Sequence, residues 1–160
     1  MTDGIDLSAF SPPVTVAALH ATRCGIVSEQ PGVYVVTRYD RVEPPALLDV
    51  SAAGWFKGRD PSYAPAVVRA NWVPGARIIY IGMTRCKKGL KGRIRQLVRF
   101  AHGDAVAHRG GRMLWHLADW RDLEVRWVGL DAGDPAALET ALIESFRQQH
   151  GARPFANMVK

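Results

Sequence analysis

Glu139 lies where a carboxylate is least expected in this 160-residue sequence. Residues 138–146 have helical periodicity, and Leu138, Leu142, Ile143 and Phe146 form one apolar arc at about 100° per residue. Glu139 falls near the middle of that arc, whereas Glu144 projects almost opposite it. An unpaired carboxylate facing a core is costly, so such an acid usually stands beside a cation, a metal or a functional pocket. Two chemistries fit Glu139. It could pair with an arginine such as Arg93 and lock its helix to a sheet, or it could hold Mg²⁺, a hard cation that takes oxygen ligands and keeps several waters.

Two tyrosines stand out in apolar runs. Tyr80 is the only titratable side chain in the aliphatic centre of residues 77–84, and Tyr34 directly follows a Gly-Val pair. Arg93 comes one turn into the helix expected after the Tyr80 run. Around it the charge is concentrated: Arg85, Lys87, Lys88, Lys91, Arg93, Arg95, Arg99, Arg109 and Arg112 fall in one stretch in which Asp104 is the only acid. With a formal net charge of +6, the stretch has the footprint of a phosphate-binding surface, though a solvated helix face has the same composition. Trp55, Phe56, Lys57 and Arg59 mix aromatic and cationic groups that either stack on bases and hold phosphates or plug a loop onto the core.

The elements that must position these groups follow from the hydrophobic periods. β-branched and aromatic runs predict strands at residues 33–39, 77–84 and 123–130. Gly82 is expected to let the second strand turn sharply at its end. Helices are predicted near 14–23, 66–72, 90–102 and 113–118, and a last one from about 135 to 150, with Asp134 as N-cap, Pro135 in its first turn and Gly151 as its stop. Two strands joined without an intervening helix should be antiparallel. The expected fold is therefore α+β, a small mixed domain with a central three-stranded, mainly antiparallel sheet flanked by helices. Residues 1–30 read as an extension packed on a domain spanning 31–160, and residues 40–75 as a long insertion between the first two core strands.

At this length one core can bury roughly two-thirds of the unfolded surface, without a disulfide or metal staple. Cys24 and Cys86 lack paired metal-site spacing and are expected to be reduced thiols. The start of the chain has two acids and no apolar stretch of signal length, and no later apolar run approaches about 18 residues. The expectation is a cytoplasmic protein, nucleoid-associated if prokaryotic, with no membrane partner.

Gly32-Val33-Tyr34, Tyr80-Ile81-Gly82, Arg93, Glu139 and Asn157, in this order, resemble the GIY-YIG endonuclease superfamily over about residues 31–157. Each short motif is weak alone, and the ordered set on strand, strand, helix and helix is more specific. Glu139, the Leu142-Ile143 pair after it and the closing Asn157 look like the family's pattern, which selects Glu139 over Glu144 as the helix geometry does. The resemblance implies metal-dependent hydrolysis of phosphodiester bonds in DNA, with one Mg²⁺ (or Mn²⁺) per active site. By position, Glu139 would bind the metal and Arg93 would hold the scissile phosphate. Tyr34 would act as base with Tyr80 beside it, and Asn157 would orient the phosphate or a neighbouring group. Lys57, Arg59, Arg85, Lys87, Lys88, Lys91, Arg95, Arg99, Arg109 and Arg112 would contact the nucleic acid.

The chain departs from that pattern in two places. The family's two strands are usually joined by a short turn, and here residues 40–75 intervene. Several members place a His or Tyr four residues after the arginine, where this chain has Leu97; His108 is the candidate replacement imidazole, as base or phosphate ligand, with His102 a weaker one. RNA stays open as a substrate, and a homodimer would suit cutting of two strands. A module on the same fold that binds nucleic acid without cleaving it is the competing expectation.

Overall fold

The computed structural model describes residues 2–38, 46–106, 108 and 110–158. Four strands form one antiparallel sheet in the order β1-β4-β2-β3: β1 (Val14–Thr15), β2 (Gly32–Thr37), β3 (Ile78–Thr84) and β4 (Glu124–Gly129). The helices are α1 (Val16–Ala21), α2 (Pro65–Ala70), α3 (Gly89–Ala101) and α4 (Pro135–His150). The sheet has four strands where three are expected. Residues 14 and 15, predicted to begin a helix, instead pair with Val125 and Glu124, and Thr15 then caps α1 by accepting from the Ala18 amide. A β-branched pair before an N-cap residue can add to an open sheet edge, and periodicity over ten residues does not resolve so short a strand.

β2 is buried along its whole length because it has neighbours on both sides and cores on both faces. Tyr34 and Val36 face a core shared with Ile79, Leu90, Ile94, Leu97 and Trp115; Val33 and Val35 face a second one with Ile81, Ile5 and Phe146. The period of two thus sorts β2 between α3 on one side and α4 on the other. The α4 caps form as the sequence predicts: Asp134 accepts from the Ala136 amide, Pro135 opens the first turn, and Gly151 closes the helix at φ 71°.

The segment expected to form a helix at 113–118 is a 3₁₀ turn, Arg112–His116. Met113, Leu114, Trp115 and His116 are all buried, so it has no solvent face to support an amphipathic helix. The described part of the insertion packs on this turn. Leu48 and Ala52 amides donate to the carbonyls of His116 and Trp115, and the Ala118 amide donates to Ala46. His116 pins the two together: its Nε2 accepts from the Tyr63 amide at 3.0 Å, which leaves Nδ1 as the donor to the Leu48 carbonyl at 3.2 Å.

β3 is an edge strand, and residues 154–157 cover its free side. The Ala156 amide donates to the Ile79 carbonyl, and Asn157 brackets Ile81, its Oδ1 accepting from the Ile81 amide and its Nδ2 donating to the Ile81 carbonyl, both at 2.8 Å. Backbone groups that would invite another strand are thereby satisfied within the chain. At the other end of β3, buried Asp3 accepts from the Arg77 and Ile78 amides and pairs with His150 at 2.9 Å. Among the described residues no helix is long and apolar enough to cross a membrane, and Cys24 and Cys86 are both free thiols.

Candidate active site and the adjoining cavity

The two tyrosines come together because register brings their strands into phase. Tyr34 pairs directly with Gly82, Val36 with Tyr80, and the rings meet at 6.0 Å between centroids with a 56° tilt. Gly82 does not turn the chain: it lies within β3, and a Cβ there would overlap the Tyr34 ring. The glycine is needed for close approach, so the sharp exit expected of it is corrected to a seat for Tyr34. Tyr80 is seated the same way. A Cβ on Gly110 would overlap its hydroxyl and lie 3.7 Å from Arg93 Nη2, which places Arg93, Tyr80 and the turn after α3 at one point.

Burial raises the pKa of both phenols, and the Glu139 carboxylate adds to the rise. Tyr80, which also faces Tyr34, is held well above the ordinary value. Arg93 works in the opposite direction on both. The Tyr34 hydroxyl is fully buried and lies near Tyr80 and Arg93 without the geometry of a formed hydrogen bond. Four elements, β2, β3, α3 and α4, therefore deliver Tyr34, Tyr80, Arg93 and Glu139 into one electrostatic neighbourhood. Glu139 is half-buried and Glu144 is exposed, 3.8 Å from Arg147, as the helical arc predicts.

Other predicted site residues lie differently. Asn157 spends its amide oxygen and one amide N–H on Ile81, so its connection to the site runs through the strand that carries Tyr80. Leu97, one turn beyond Arg93, is fully buried in the core. The basic stretch divides at about 100° per residue along α3: Lys91, Arg95 and Arg99 form one ridge, and Arg93 projects from the opposite side. Part of that charge is paired with acids, two of them distant in sequence. Arg85 forms a two-pronged pair with Asp134, Lys91 lies 3.6 Å from Glu29, and Arg99 pairs with Asp104 at 2.9 Å. Lys87, Lys88 and Arg95 lie on the surface, Arg95 beside His20 and Arg23 in a groove against α1. Arg109 lies outside the described residues.

His108 is the member of the set whose surroundings were least legible. It is 2 % exposed, and neither ring nitrogen has a hydrogen-bond partner among the described residues. Burial, helped by the Arg93 charge, pulls its pKa down to about 3, although the nearby Gly110 backbone favours protonation. Burial thus favours the neutral form of the ring. His102 is stacked on His20 at 3.6 Å between ring centroids and donates from Nδ1 to the Val98 carbonyl at 2.7 Å. His108 opens instead on a cavity of about 320 Å³ lined by Phe56, Lys57, Arg59, Phe100 and Arg112 among others. The insertion and the turn after α3, distant in sequence, build it jointly. Trp55, expected either to stack or to plug, is exposed, and Phe56 lines the cavity with Lys57 over its ring at 5.4 Å.

Among the described residues no three His, Cys, Asp or Glu side chains gather as a metal cluster. A metal here would rest on Glu139, waters and a substrate phosphate, a donor set that suits Mg²⁺, which is often bound through one or two carboxylates. Compared with known proteins, the chain matches no family model, no curated protein and no solved structure.

Proposed function

We propose that this protein is a metal-dependent endonuclease that hydrolyses phosphodiester bonds in DNA, with a site of the kind the GIY-YIG resemblance implies. The observation that carries the proposal is the convergence of Tyr34, Tyr80, Arg93 and Glu139 from four separate elements, each within electrostatic reach of the tyrosine pair. Phosphoryl transfer gathers negative charge on the phosphoryl oxygens, and a fixed guanidinium acts where that charge develops. Arg93, set against Tyr80 and the Gly110 turn, holds the phosphate. Glu139 holds the divalent cation, which when bound supplies Lewis-acid charge to the same oxygens. Tyr34 is assigned the base and Tyr80 its support. Burial and Glu139 keep the Tyr34 proton in place, Arg93 opposes them, and neutralising the Glu139 charge with a bound cation removes one of the two restraints.

One observation favours a second reading. Both phenols are buried and hold their protons firmly, as packing tyrosines do, which suits a module that binds nucleic acid without cutting it. Cleavage of plasmid and single-stranded DNA, with Mg²⁺ or EDTA, separates the two. The nuclease cuts only with metal, and Glu139→Ala abolishes cutting while leaving DNA binding. Undiminished cleavage by Glu139→Ala overturns the site assignment. Salt-sensitive binding without cleavage across a broad panel of sequences favours the binding module.

A further inference from the structure

The cavity beside Arg93 has the chemistry of a receptor that is not yet satisfied. Buried polar side chains normally find partners, and His116 shows this in the same protein, with both ring nitrogens bonded. His108 is equally inaccessible and has neither nitrogen bonded among the described residues. Being neutral, its ring has one N–H donor and one acceptor, set on different sides of the ring. Those groups suit a polar, uncharged edge and not an anion. The anionic end of a ligand is provided for separately by Lys57, Arg59 and Arg112, and a flat face by the Phe56 and Phe100 rings. Arg112 is itself held in place over the Tyr63 ring at 5.1 Å, with its Nε buried and without a partner among the described residues.

A ligand with a flat aromatic face, a neutral hydrogen-bonding edge and a phosphate is a nucleotide, and the volume of about 320 Å³ is at the small end of ligand pockets. We propose that this cavity receives one unstacked nucleotide of the DNA strand, its base against Phe56 and Phe100, its edge read by His108 and its phosphate held by Lys57, Arg59 and Arg112. The occupant is assigned to a strand because the cavity's own wall leads to Arg93: His108 feels the Arg93 charge, and Gly110, two residues on, touches the Tyr80–Arg93 point. This rests on the reading of the protein as DNA-binding, and it gives residues 54–61 of the insertion a purpose. An enzyme that takes a base out of the stack binds single strands or distorted duplexes more readily than paired ones, since the unstacking is already done.

The test uses the full chain in EDTA, so that it is independent of cleavage. Two labelled single-stranded oligomers of equal length are compared by fluorescence polarisation at low salt, one abasic throughout and one carrying a single adenine at its centre. Stacking of one base is expected to tighten binding by about ten-fold or more. Phe56→Ala and His108→Gln should remove that gain while still binding both oligomers. Lys57→Ala and Arg59→Ala, at exposed positions, should weaken both oligomers alike, and thermal melting checks that each variant is folded. Glu139→Ala should keep the gain, so loss of cleavage and loss of the pocket are read separately. Equal affinity for the two oligomers, a gain that survives in both Phe56→Ala and His108→Gln, or no binding of either oligomer overturns the proposal. Binding of free dAMP as tight as that of the one-base oligomer overturns the strand-borne occupant in favour of a free nucleotide.

Discussion

Lowering the pH should destabilise this protein through His108 in a way that one substitution can isolate. The imidazole is buried and its pKa falls from the ordinary 6.5 to about 3. Below pH 6.5 the unfolded chain binds a proton that the folded chain refuses, so stability falls as pH falls. The contribution is complete above 6.5 and lost progressively down to about 3. Each pH unit in that window removes about 1.4 kcal/mol, about 5 kcal/mol over the whole of it. Carboxylates confuse the lower part, so the informative range runs from 6.5 to about 5, where about 2 kcal/mol is at stake. Urea unfolding of the wild type and of His108→Leu across this range gives the test. Contributions of groups distant from His108 are common to both proteins and cancel in the difference. His108→Leu should show a slope flatter by about 1.4 kcal/mol per pH unit. It should also be more stable near pH 7.5 by about 1–3 kcal/mol, because two ring nitrogens without a partner among the described residues leave the interior. Parallel pH profiles would refute the reasoning, since they would mean that the folded protein protonates His108 as readily as water does.

Three further outcomes are expected. Gly82→Ala puts a Cβ into the Tyr34 ring, which is fully buried and has no room to retreat; overpacking should cost about 1–3 kcal/mol by urea unfolding and lower any cleavage activity with it. Asn157→Ala leaves the Ile81 amide and carbonyl on an open edge, with an expected loss of about 1–3 kcal/mol and faster hydrogen exchange at the Ile81 amide. In alkali, the folded protein keeps the Tyr34 and Tyr80 protons that the unfolded chain releases above about pH 10, so stability should fall by about 1.4 kcal/mol per pH unit for each phenol. Tyr34→Phe should halve that slope, and an unchanged slope would place the Tyr34 hydroxyl in water.

By itself the sequence determined what local rules decide: three of the four strands, the course of α3 and α4 with the Asp134 and Gly151 caps, and the inward bias of Glu139 against the outward Glu144. These follow from periods of 2 and 3.6 and from cap chemistry within a few residues. The tertiary structure decided everything that depends on what lies opposite. The two-residue β1 exists only because β4 offers it an edge, and the 112–116 segment is 3₁₀ because it is enclosed on all sides. Gly82 is a seat for Tyr34 through a cross-strand register that no local window contains. Arg85 and Lys91 lose part of their charge to Asp134 and Glu29, acids outside the basic stretch. His108 and His116 are alike in the sequence, each a histidine near the turn after α3. Only folding gives one of them two partners and leaves the other facing a cavity, because burial and hydrogen bonding are set by chain segments more than fifty residues away.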